Sequence, residues 1–276
     1  MLKSISTQEG IDFNSFEIIV INNCDKPKKP KIISKHLYPN LNIRYILSKE
    51  KNYIGASRQT GIDNCKGEYL MFVDSDDTLK STAVISTIYQ TIHDYPSYDI
   101  YVFDEEQELK DANGNFFWVT ITSTAVTPHS KIFRTDFIKS NNIRHLSGIR
   151  YSEDTLFNLN CIINKPKAIK VNYPIYKNFY NKDSTTHSDS LNFIKAAAFS
   201  HCLGTEKLAE IYKDGGTAVF NTLVANLLNL QSRVESKFTF ETAIYLTIYK
   251  IYNIIDNIND EEVTEKDILN KIKQQL

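Results

Sequence analysis

The stretch KGEYLMFVDSDDTL (66–79) runs from a lysine-glycine turn into a short apolar segment and then into three carboxylates. Short continuous apolar segments are typical of strands that are covered on both faces. In open α/β sheets, ligands bind outside the carboxyl ends of the strands, and Asp74, Asp76 and Asp77 follow such an end. The stretch therefore predicts a buried strand that leads directly into a binding site.

The surrounding sequence alternates between strand and helix patterns. Apolar runs predict strands at 16–22 (FEIIVIN) and 43–48 (IRYILS), and a short helix pattern ends before Gly67. After the carboxylates, apolar residues recur at helical spacing from Val84 to Ile92. This order of β, β, α, β, α predicts an α/β fold with a wound sheet flanked by helices.

The second half of the chain contains a hairpin pattern and then a helical region. Two strand patterns flank Asn113-Gly114, a dipeptide that strongly favours a β-hairpin. From about Leu191 onward the pattern is helical, with leucine stripes expected to pack in a core. We therefore predict an α/β domain over 1–190 and a C-terminal helical region over 191–276.

Composition limits the classes of partner and compartment. The 32 basic and 33 acidic residues nearly cancel, so the chain has no overall basic field for nucleic acid. No apolar run reaches the ~18 residues that a membrane-spanning helix needs. The four cysteines are widely spaced and form no C-x-x-C pair, which predicts reduced core thiols in a cytoplasmic protein. Peripheral attachment to the inner membrane face and homo-oligomer formation stay open.

The residues alone allow two interpretations of the acidic clusters. Asp74 and Asp76 offer oxygens to a hard divalent cation, which is typically held by one or two carboxylates and the phosphates of a ligand. Alternatively, the carboxylates cap the following helix by accepting hydrogen bonds from its free amides. Glu153 and Asp154 precede another helical run, where acidic residues also favour the helix dipole.

Two separated segments resemble one enzyme family. NYIGASRQTGIDNCKGEYLMFVDSDDTL (52–79) resembles the N-x-x-G-x-x-x-x-R-N-x-G to D-x-D-D segment of the family 2 glycosyltransferases, which have the GT-A fold and use nucleotide sugars. HSKIFRTDFIKSNNIRHLSGIRYSEDTLFNLNCI (129–162) looks like that family's region with K-L-F-R, N-N-I and E-D-x-x-F. The matches come in the family's order, and the resemblance covers roughly residues 13–190.

The resemblance implies a mixed GT-A type sheet and an inverting, metal-dependent glycosyltransferase. Its donor would be a nucleotide sugar, with a UDP-sugar expected, and its acceptor a glycan or lipid-linked hydroxyl in bacterial polysaccharide biosynthesis. The residues that it implies for donor binding are Asn22, Asn52, Arg58, Asp74 and Ser75.

The resemblance also implies the roles of the remaining site residues. Asp76 and His187 would hold a Mn²⁺ or Mg²⁺ ion, which offsets charge on the leaving group as a Lewis acid. Asp154 would take the proton from the acceptor hydroxyl as a general base. Glu153 would position the acceptor.

Three aromatic residues follow the hairpin turn. Large aromatic side chains are mostly buried, so we expect Phe116, Phe117 and Trp118 to lie in the core. The alternative is that they are exposed and stack on an acceptor sugar.

The sequence departs from the family pattern at its start. MLKSISTQEGIDFNSF (1–16) matches the helix and linker after the family's first strand, so we expect that strand to be absent here and to be replaced, or the sheet to re-pair. Three accounts stay open: an upstream start was missed, another chain donates the strand, or the chain is a truncated relative. The family's V-D-D-G-S appears at 21–25 as INNCD, where Asn can bond a base but carries no charge. The alternative function is thus a degenerate or truncated member that binds a glycan or partner. A glycosidase with Asp76 and Asp154 as its paired carboxylates is a third hypothesis.

Overall fold

The fold is described from a computed structural model of the chain. The described residues are 1–24, 37–48, 50, 53–122, 127–182, 190–234, 241–259 and 270. The chain divides into two compact units, of which the first comprises Met1–His145 and Asn164–Lys182 and the second Leu146–Ile163 and Asp183–Leu276. The single boundary near residue 190 stays a prediction.

The first unit contains the predicted alternation of strands and helices. Its strands are β1 (Ile18–Asn22), β2 (Ile43–Leu47), β3 (Tyr69–Met71), β4 (Thr78–Leu79), β5 (Ile100–Lys110), β6 (Phe116–Thr122), β7 (Lys131–Arg134) and β8 (Ala168–Asn178). Its helices are α1 (Leu2–Ser6), α2 (Ile54–Asn64), α3 (Val84–Asp94) and α4 (Thr135–Ser140).

The strands of this unit form two sheets. β1 and β2 pair in parallel, with Ile18 opposite Ile43 and Asn22 opposite Leu47. The larger sheet has the order β3-β7-β5-β8-β4, and β6 pairs with residues 104–110 of β5, beyond the part that pairs with β7. Only β5 and β8 are parallel in this sheet, whereas its other pairs are antiparallel. The predicted mixed sheet is therefore confirmed, although the described strands split it in two.

The prediction that the first apolar strands are covered on both faces is wrong. All residues of β1 and β3 are only half-buried. Among the described residues, β1 pairs with β2 alone and β3 with β7 alone, so each strand has an edge without a described partner. The core of the unit lies instead around Tyr101, Phe103 and Ile175 of β5 and β8, which are fully buried.

The hairpin predicted around Asn113-Gly114 is confirmed by the pairing of β5 with β6. Gly114 has φ 89°, a left-handed conformation that glycine adopts without a steric penalty. Asp111 Oδ1 accepts hydrogen bonds from the backbone N–H groups of Asn113 and Asn115, at 2.9 and 2.8 Å. These bonds, with Asn115 as the largest cause, lower the pKa of the exposed Asp111 carboxyl.

The second unit is helical in its described part. Its helices are α5 (Glu153–Ile163), α6 (Leu191–Ile211), α7 (Gly216–Val234) and α8 (Glu241–Ile254). Leu223, Leu227 and Leu230 of α7 are buried as expected, whereas Leu228 is exposed. None of the helices in the described ranges is both long and apolar enough to span a membrane.

The four cysteines are free thiols. Cys161 and Cys202 are buried as predicted, and burial raises the pKa of Cys202 to about 11. Cys65 is half-buried, and Cys24 is exposed two residues after β1. The expectation of core thiols is therefore wrong for Cys24.

Helices α5 and α6 pack closely at Gly204. A Cβ atom at this position would lie 2.1 Å from Cδ1 of the buried Leu156. Gly204→Ala should therefore lower the free energy of unfolding by about 1–2 kcal/mol, because forced repacking outweighs the gain in helix propensity. Urea unfolding followed by circular dichroism measures this change.

The matched control is Gly61→Ala in α2, where an added Cβ would have no neighbour within 4 Å. This substitution should raise the free energy of unfolding, by up to about 1 kcal/mol. Equal stabilisation by both substitutions would contradict the close packing at Gly204.

Candidate functional site

The three carboxylates of the opening stretch lie between β3 and β4. They do not cap a helix, because β4 follows them and α3 begins only at Val84, with Ala83 as its N-cap residue. Thr78 and Leu79 of β4 pair with β8. The capping interpretation of this stretch is therefore wrong.

Asp77 is the buried carboxylate of this turn. It is 4% exposed, and its Oδ2 accepts a 2.8 Å hydrogen bond from the Tyr176 hydroxyl. Its Oδ1 accepts a 3.0 Å bond from the backbone N–H of Phe179. The Tyr176 oxygen in turn accepts a 2.8 Å bond from the backbone N–H of Asp74. One tyrosine hydroxyl therefore holds the turn at two points.

Tyr176 is itself fixed by buried neighbours. Its side chain is 0% exposed, and the ring of His129 stacks on it with centroids 4.9 Å apart. His129 Nδ1 lies 2.6 Å from Glu105 Oε2, which also accepts a 3.2 Å bond from the Ser130 hydroxyl. Burial raises the pKa of Tyr176, so its hydroxyl stays protonated and able to donate.

The other two carboxylates face solvent. Asp76 is exposed, and its Oδ2 accepts a 3.2 Å bond from Asn181 Nδ2. The Asp74 side chain is 43% exposed, and its Oδ1 lies 3.4 Å from Nη2 of Arg58, a mostly buried residue of α2. Ser75 is exposed between them. The turn thus buries one carboxylate and leaves two accessible, of which Asp74 lies beside a guanidinium.

Asp74 and Asp76 are chemically suited to hold a divalent cation whose remaining coordination positions are filled by a bound ligand. The described residues contain no group of three or more His, Cys, Asp or Glu side chains that could hold a metal ion. Asp74 and Asp76 nevertheless supply hard oxygen donors, and Mg²⁺-like ions commonly take one or two carboxylates, several waters and substrate phosphates. His187 and Asn52, which the resemblance implies as metal and donor ligands, lie outside the described residues.

Asn22 ends β1 with its amide already oriented. Its Nδ2 donates a 2.6 Å bond to the Tyr45 hydroxyl, and its Oδ1 accepts a 2.8 Å bond from the backbone N–H of Cys24. An amide has two donor hydrogens and two acceptor lone pairs, so one of each remains for a base. The donor-binding role of Asn22 stays a prediction.

Glu153 and Asp154 begin α5 and belong to the second unit. Both are half-buried, and Asp154 Oδ1 accepts a 2.7 Å bond from the N–H of Thr155. Ser152, just before them, has φ 61°, a conformation that is uncommon outside glycine. The position in the first helical turn agrees with the dipole interpretation and leaves their catalytic roles as predictions.

Sequence reasoning missed the residues that hold the acidic turn. Tyr176 contacts Asp77 across 99 positions and Asn181 contacts Asp76 across 105, so no local pattern links them. The expectation for the hairpin aromatics is also wrong, because Phe116, Phe117 and Trp118 are 55%, 44% and 37% exposed. β6 pairs only with β5 among the described strands.

Comparison with known proteins identifies similar sequences. The protein-family model described as Glycosyl transferase family 2 matches residues 1–152, more than half of the chain. Glycosyltransferase GlyA of Streptococcus pneumoniae is 33% identical over 113 residues, which cover 39% of this chain and 15% of GlyA. Poly(ribitol-phosphate) beta-N-acetylglucosaminyltransferase TarS of Staphylococcus aureus is 27% identical over 184 residues, 59% of this chain and 30% of TarS. The matches thus span less than a third of these two relatives.

Solved structures share the fold. The crystal structure of S. aureus TarS 1–349 in complex with UDP aligns with 99% of this chain and 83% of that chain, with a TM-score of 0.63 and 14% identity. The mannosyltransferase PcManGT from Pyrobaculum calidifontis in complex with GDP-Man and Mn²⁺ aligns with 99% of this chain and 81% of that chain, with a TM-score of 0.52 and 11% identity. The likeness to TarS confirms the predicted GT-A type fold.

The buried position of Asp77 predicts a particular dependence of stability on pH. Burial is the largest cause that raises the pKa of Asp77 above its ordinary value of 3.8. The folded protein therefore binds this proton more tightly than the unfolded chain, and stability falls as pH rises from about 4 through the raised pKa. Asp77→Asn has no such proton, so its stability should not fall in this way. Between about pH 4 and the raised pKa of Asp77, the free energy of unfolding of wild type should therefore decrease relative to that of the variant.

The control for this measurement is Asp111→Asn, because the folded pKa of Asp111 is lowered. Its stabilising effect is present above the unfolded pKa and is lost as pH falls, so the difference between wild type and this variant should have the opposite slope. Urea unfolding at a series of pH values measures both differences. Slopes of the same sign would contradict the assignment of Asp77 as the desolvated carboxylate.

Proposed function

Since the chain belongs to glycosyl transferase family 2, we propose that it moves a sugar from a nucleotide-sugar donor to the hydroxyl of an acceptor. The acceptor oxygen forms a bond to the anomeric carbon, the bond to the diphosphate breaks, and the nucleoside diphosphate leaves. A single displacement of this kind inverts the configuration of the sugar. Asp154 receives the proton of the acceptor hydroxyl.

The observation that carries the proposal is that the three carboxylates of the acidic turn have different environments. Asp77 accepts two buried hydrogen bonds, whereas Asp74 and Asp76 remain accessible. A purely structural turn needs only the buried carboxylate, whereas here Asp74 lies accessible beside the Arg58 guanidinium and Asp76 adds a second accessible carboxylate two residues further on. The accessible pair therefore supports a role in binding a metal-chelated diphosphate.

Asp76 and His187 are the residues proposed to hold Mn²⁺ or Mg²⁺, and Asp74 is proposed to bind the nucleotide sugar. When bound, the cation would supply Lewis-acid stabilisation of the negative charge on the diphosphate. PcManGT, which was solved with GDP-Man and Mn²⁺, supports a divalent ion in this fold. Arg58, beside Asp74, is proposed to contact the diphosphate, because a guanidinium matches phosphate oxygens well.

The remaining donor contacts are proposed for Asn22, Ser75 and Asn52. Asn22 stands at the end of β1 with one donor and one acceptor available to a base. A UDP-sugar is the proposed donor, supported by the TarS complex with UDP. The proposed acceptor is a glycan or lipid-linked oligosaccharide of the bacterial surface. The free thiols of the chain favour the cytoplasm as the site of reaction.

Donor binding should depend on Asp76 and on metal. We expect UDP with Mn²⁺ to raise the melting temperature more than GDP, CDP or UDP alone, because a ligand of the folded state stabilises by mass action. Asp76→Ala should abolish the metal-dependent part of the shift while it keeps the fold, since the Asp76 side chain has one described bond, to Asn181.

Asp94→Ala is the matched control for this thermal-shift titration. Asp94 is another exposed carboxylate that accepts a bond from a side-chain amide, that of Gln90 at 2.8 Å. This variant should respond to UDP and Mn²⁺ as wild type does. The absence of any nucleotide shift in folded wild-type protein would favour the degenerate, non-catalytic alternative.

Transfer should depend on the Asp154 carboxylate itself. Asp154→Asn keeps the oxygen that accepts from Thr155 N–H, so α5 should still start normally. The variant loses the base and should lower kcat by about 10²–10⁴-fold with unchanged nucleotide affinity. Glu153→Gln should mainly raise the KM for the acceptor, because Glu153 is proposed to position it. Full activity of Asp154→Asn in a transfer assay would remove Asp154 from the mechanism.

A further inference from the structure

An exposed aromatic surface lies on β6 and on the residues that follow β8. Phe116 and Trp118 share one face of β6, because alternate residues of a strand point the same way. The Phe116 ring lies 5.6 Å from that of Tyr180, and the Trp118 ring lies 5.1 Å from that of Phe179, edge to face. We call these four residues the aromatic platform. Three of its members, Phe116, Trp118 and Phe179, are more than a third exposed.

The segment just after β8 connects the platform to the acidic turn through Phe179 and Asn181 and to β5 through Tyr180. The N–H of Phe179 donates to the buried Asp77 carboxylate at 3.0 Å, while its ring packs on Trp118. The N–H of Tyr180 donates to Glu108 at 3.1 Å, while its ring packs on Phe116. The next residue, Asn181, donates to Asp76 at 3.2 Å. The backbone that positions the proposed donor site thus also positions the platform.

Polar side chains surround the rings with balanced charge. Lys177 Nζ lies 4.4 Å from the centroid of Trp118, and Lys110 Nζ lies 5.5 Å from that of Phe116. Glu106 pairs with both Lys177 and Lys80, at 3.5 Å for Lys177. Glu106 and Glu108 thus set two carboxylates against the two ammonium groups that lie over the rings. The platform therefore offers flat apolar faces beside both donors and acceptors of hydrogen bonds, and its charges cancel.

We propose that the aromatic platform is an acceptor subsite that stacks a neutral pyranose unit of the acceptor glycan. This inference rests on the proposed function and adds a substrate class to it. The C–H face of a pyranose is apolar and packs on an aromatic ring by dispersion and by removal of water. Its equatorial hydroxyls need hydrogen-bond partners, which the surrounding Lys177 and Glu108 can supply.

The charge balance favours a neutral glycan over two other ligands. A chain of phosphodiesters has no flat apolar face and would gain little from a surface whose ammonium groups are matched by carboxylates. An anionic membrane attracts clusters of lysine and arginine, and the platform has no net positive charge to offer it. Exposed aromatic rings that adjoin a proposed transfer site are therefore best explained by sugar stacking.

Trp118 is the only tryptophan of the chain, so its fluorescence reports directly on the platform. The probes are three neutral trisaccharides, cellotriose, maltotriose and triacetylchitotriose, titrated into the full chain. At least one should change the emission of Trp118 saturably. Phe179→Ala should weaken that binding by about tenfold, because it removes one stacking surface and leaves the tryptophan in place.

Phe117→Ala is the matched control. Phe117 lies on the same strand with 44% exposure, but alternation places it on the opposite face of β6. This variant should bind the trisaccharide as wild type does. Equal weakening by Phe117→Ala and Phe179→Ala would overturn the proposal, because the effect would then not follow the face of the strand.

The remaining outcomes separate the proposal from the function on which it rests. If UDP with Mn²⁺ raises the melting temperature but no trisaccharide changes the fluorescence, the platform assignment is overturned and the transferase function stands. If vesicles of phosphatidylglycerol and phosphatidylcholine change the emission and sugars do not, the surface binds membrane and the proposal is overturned. If a sugar binds but no nucleotide does, the acceptor role is overturned together with the proposed function.

Discussion

The buried hydrogen bond from the Tyr176 hydroxyl to the Asp77 carboxylate is the interaction on which the site depends. A buried carboxylate is costly unless donors satisfy it, and here the hydroxyl and the Phe179 N–H do so. Because Tyr176 also accepts from the N–H of Asp74, the same group fixes the start of the turn. Without this anchor, three neighbouring negative charges would favour an extended and variable loop. With it, two of them are held apart from the core and toward solvent.

The same anchor couples the accessible carboxylates to the buried one. After burial, hydrogen bonding to Phe179 and Tyr176 lowers the pKa of Asp77, whereas the charges of Asp76 and Asp74 raise it. A cation that neutralised Asp76 and Asp74 would remove the last contribution and make ionised Asp77 less costly. Metal binding and the stability of the turn should therefore favour each other, as linkage requires.

Successive residues of strand β8 contact two different parts of the unit, the acidic turn and the β5–β6 hairpin. Tyr176 points to the acidic turn, and the next residue, Lys177, lies over Trp118 of the hairpin. The pairing of β5 with β8 shifts register just before this point, and Pro174 stands opposite Asp104 at the irregularity. A proline fits there, since it has no N–H to give to a regular ladder, and such irregularities can re-aim the side chains that follow.

Local sequence patterns identified the strand that leads into the site, the hairpin and the acidic turn. They could not identify β8 as its support, because that depends on pairings between residues about a hundred positions apart.

The physics of the two proposed subsites also explains why the sequence favoured only one of them and gave the other as an alternative. A diphosphate has a fixed charge, so its recognition needs carboxylates for a cation at one strand end, and that requirement leaves a compact pattern such as Asp74-Ser75-Asp76. A neutral sugar is recognised by shape and apolar contact, which rings from distant segments can provide in many arrangements. The aromatic run at Phe116 and Trp118 was visible in the sequence, but aromatic residues are buried in most contexts. In the structure Phe116 and Trp118 are exposed on an edge strand of the described sheet and contact the rings of Tyr180 and Phe179. Residues that bind a charged diphosphate can therefore be recognised in a short sequence motif. Residues that stack on a neutral sugar come from distant segments, and only the folded structure shows that they lie together.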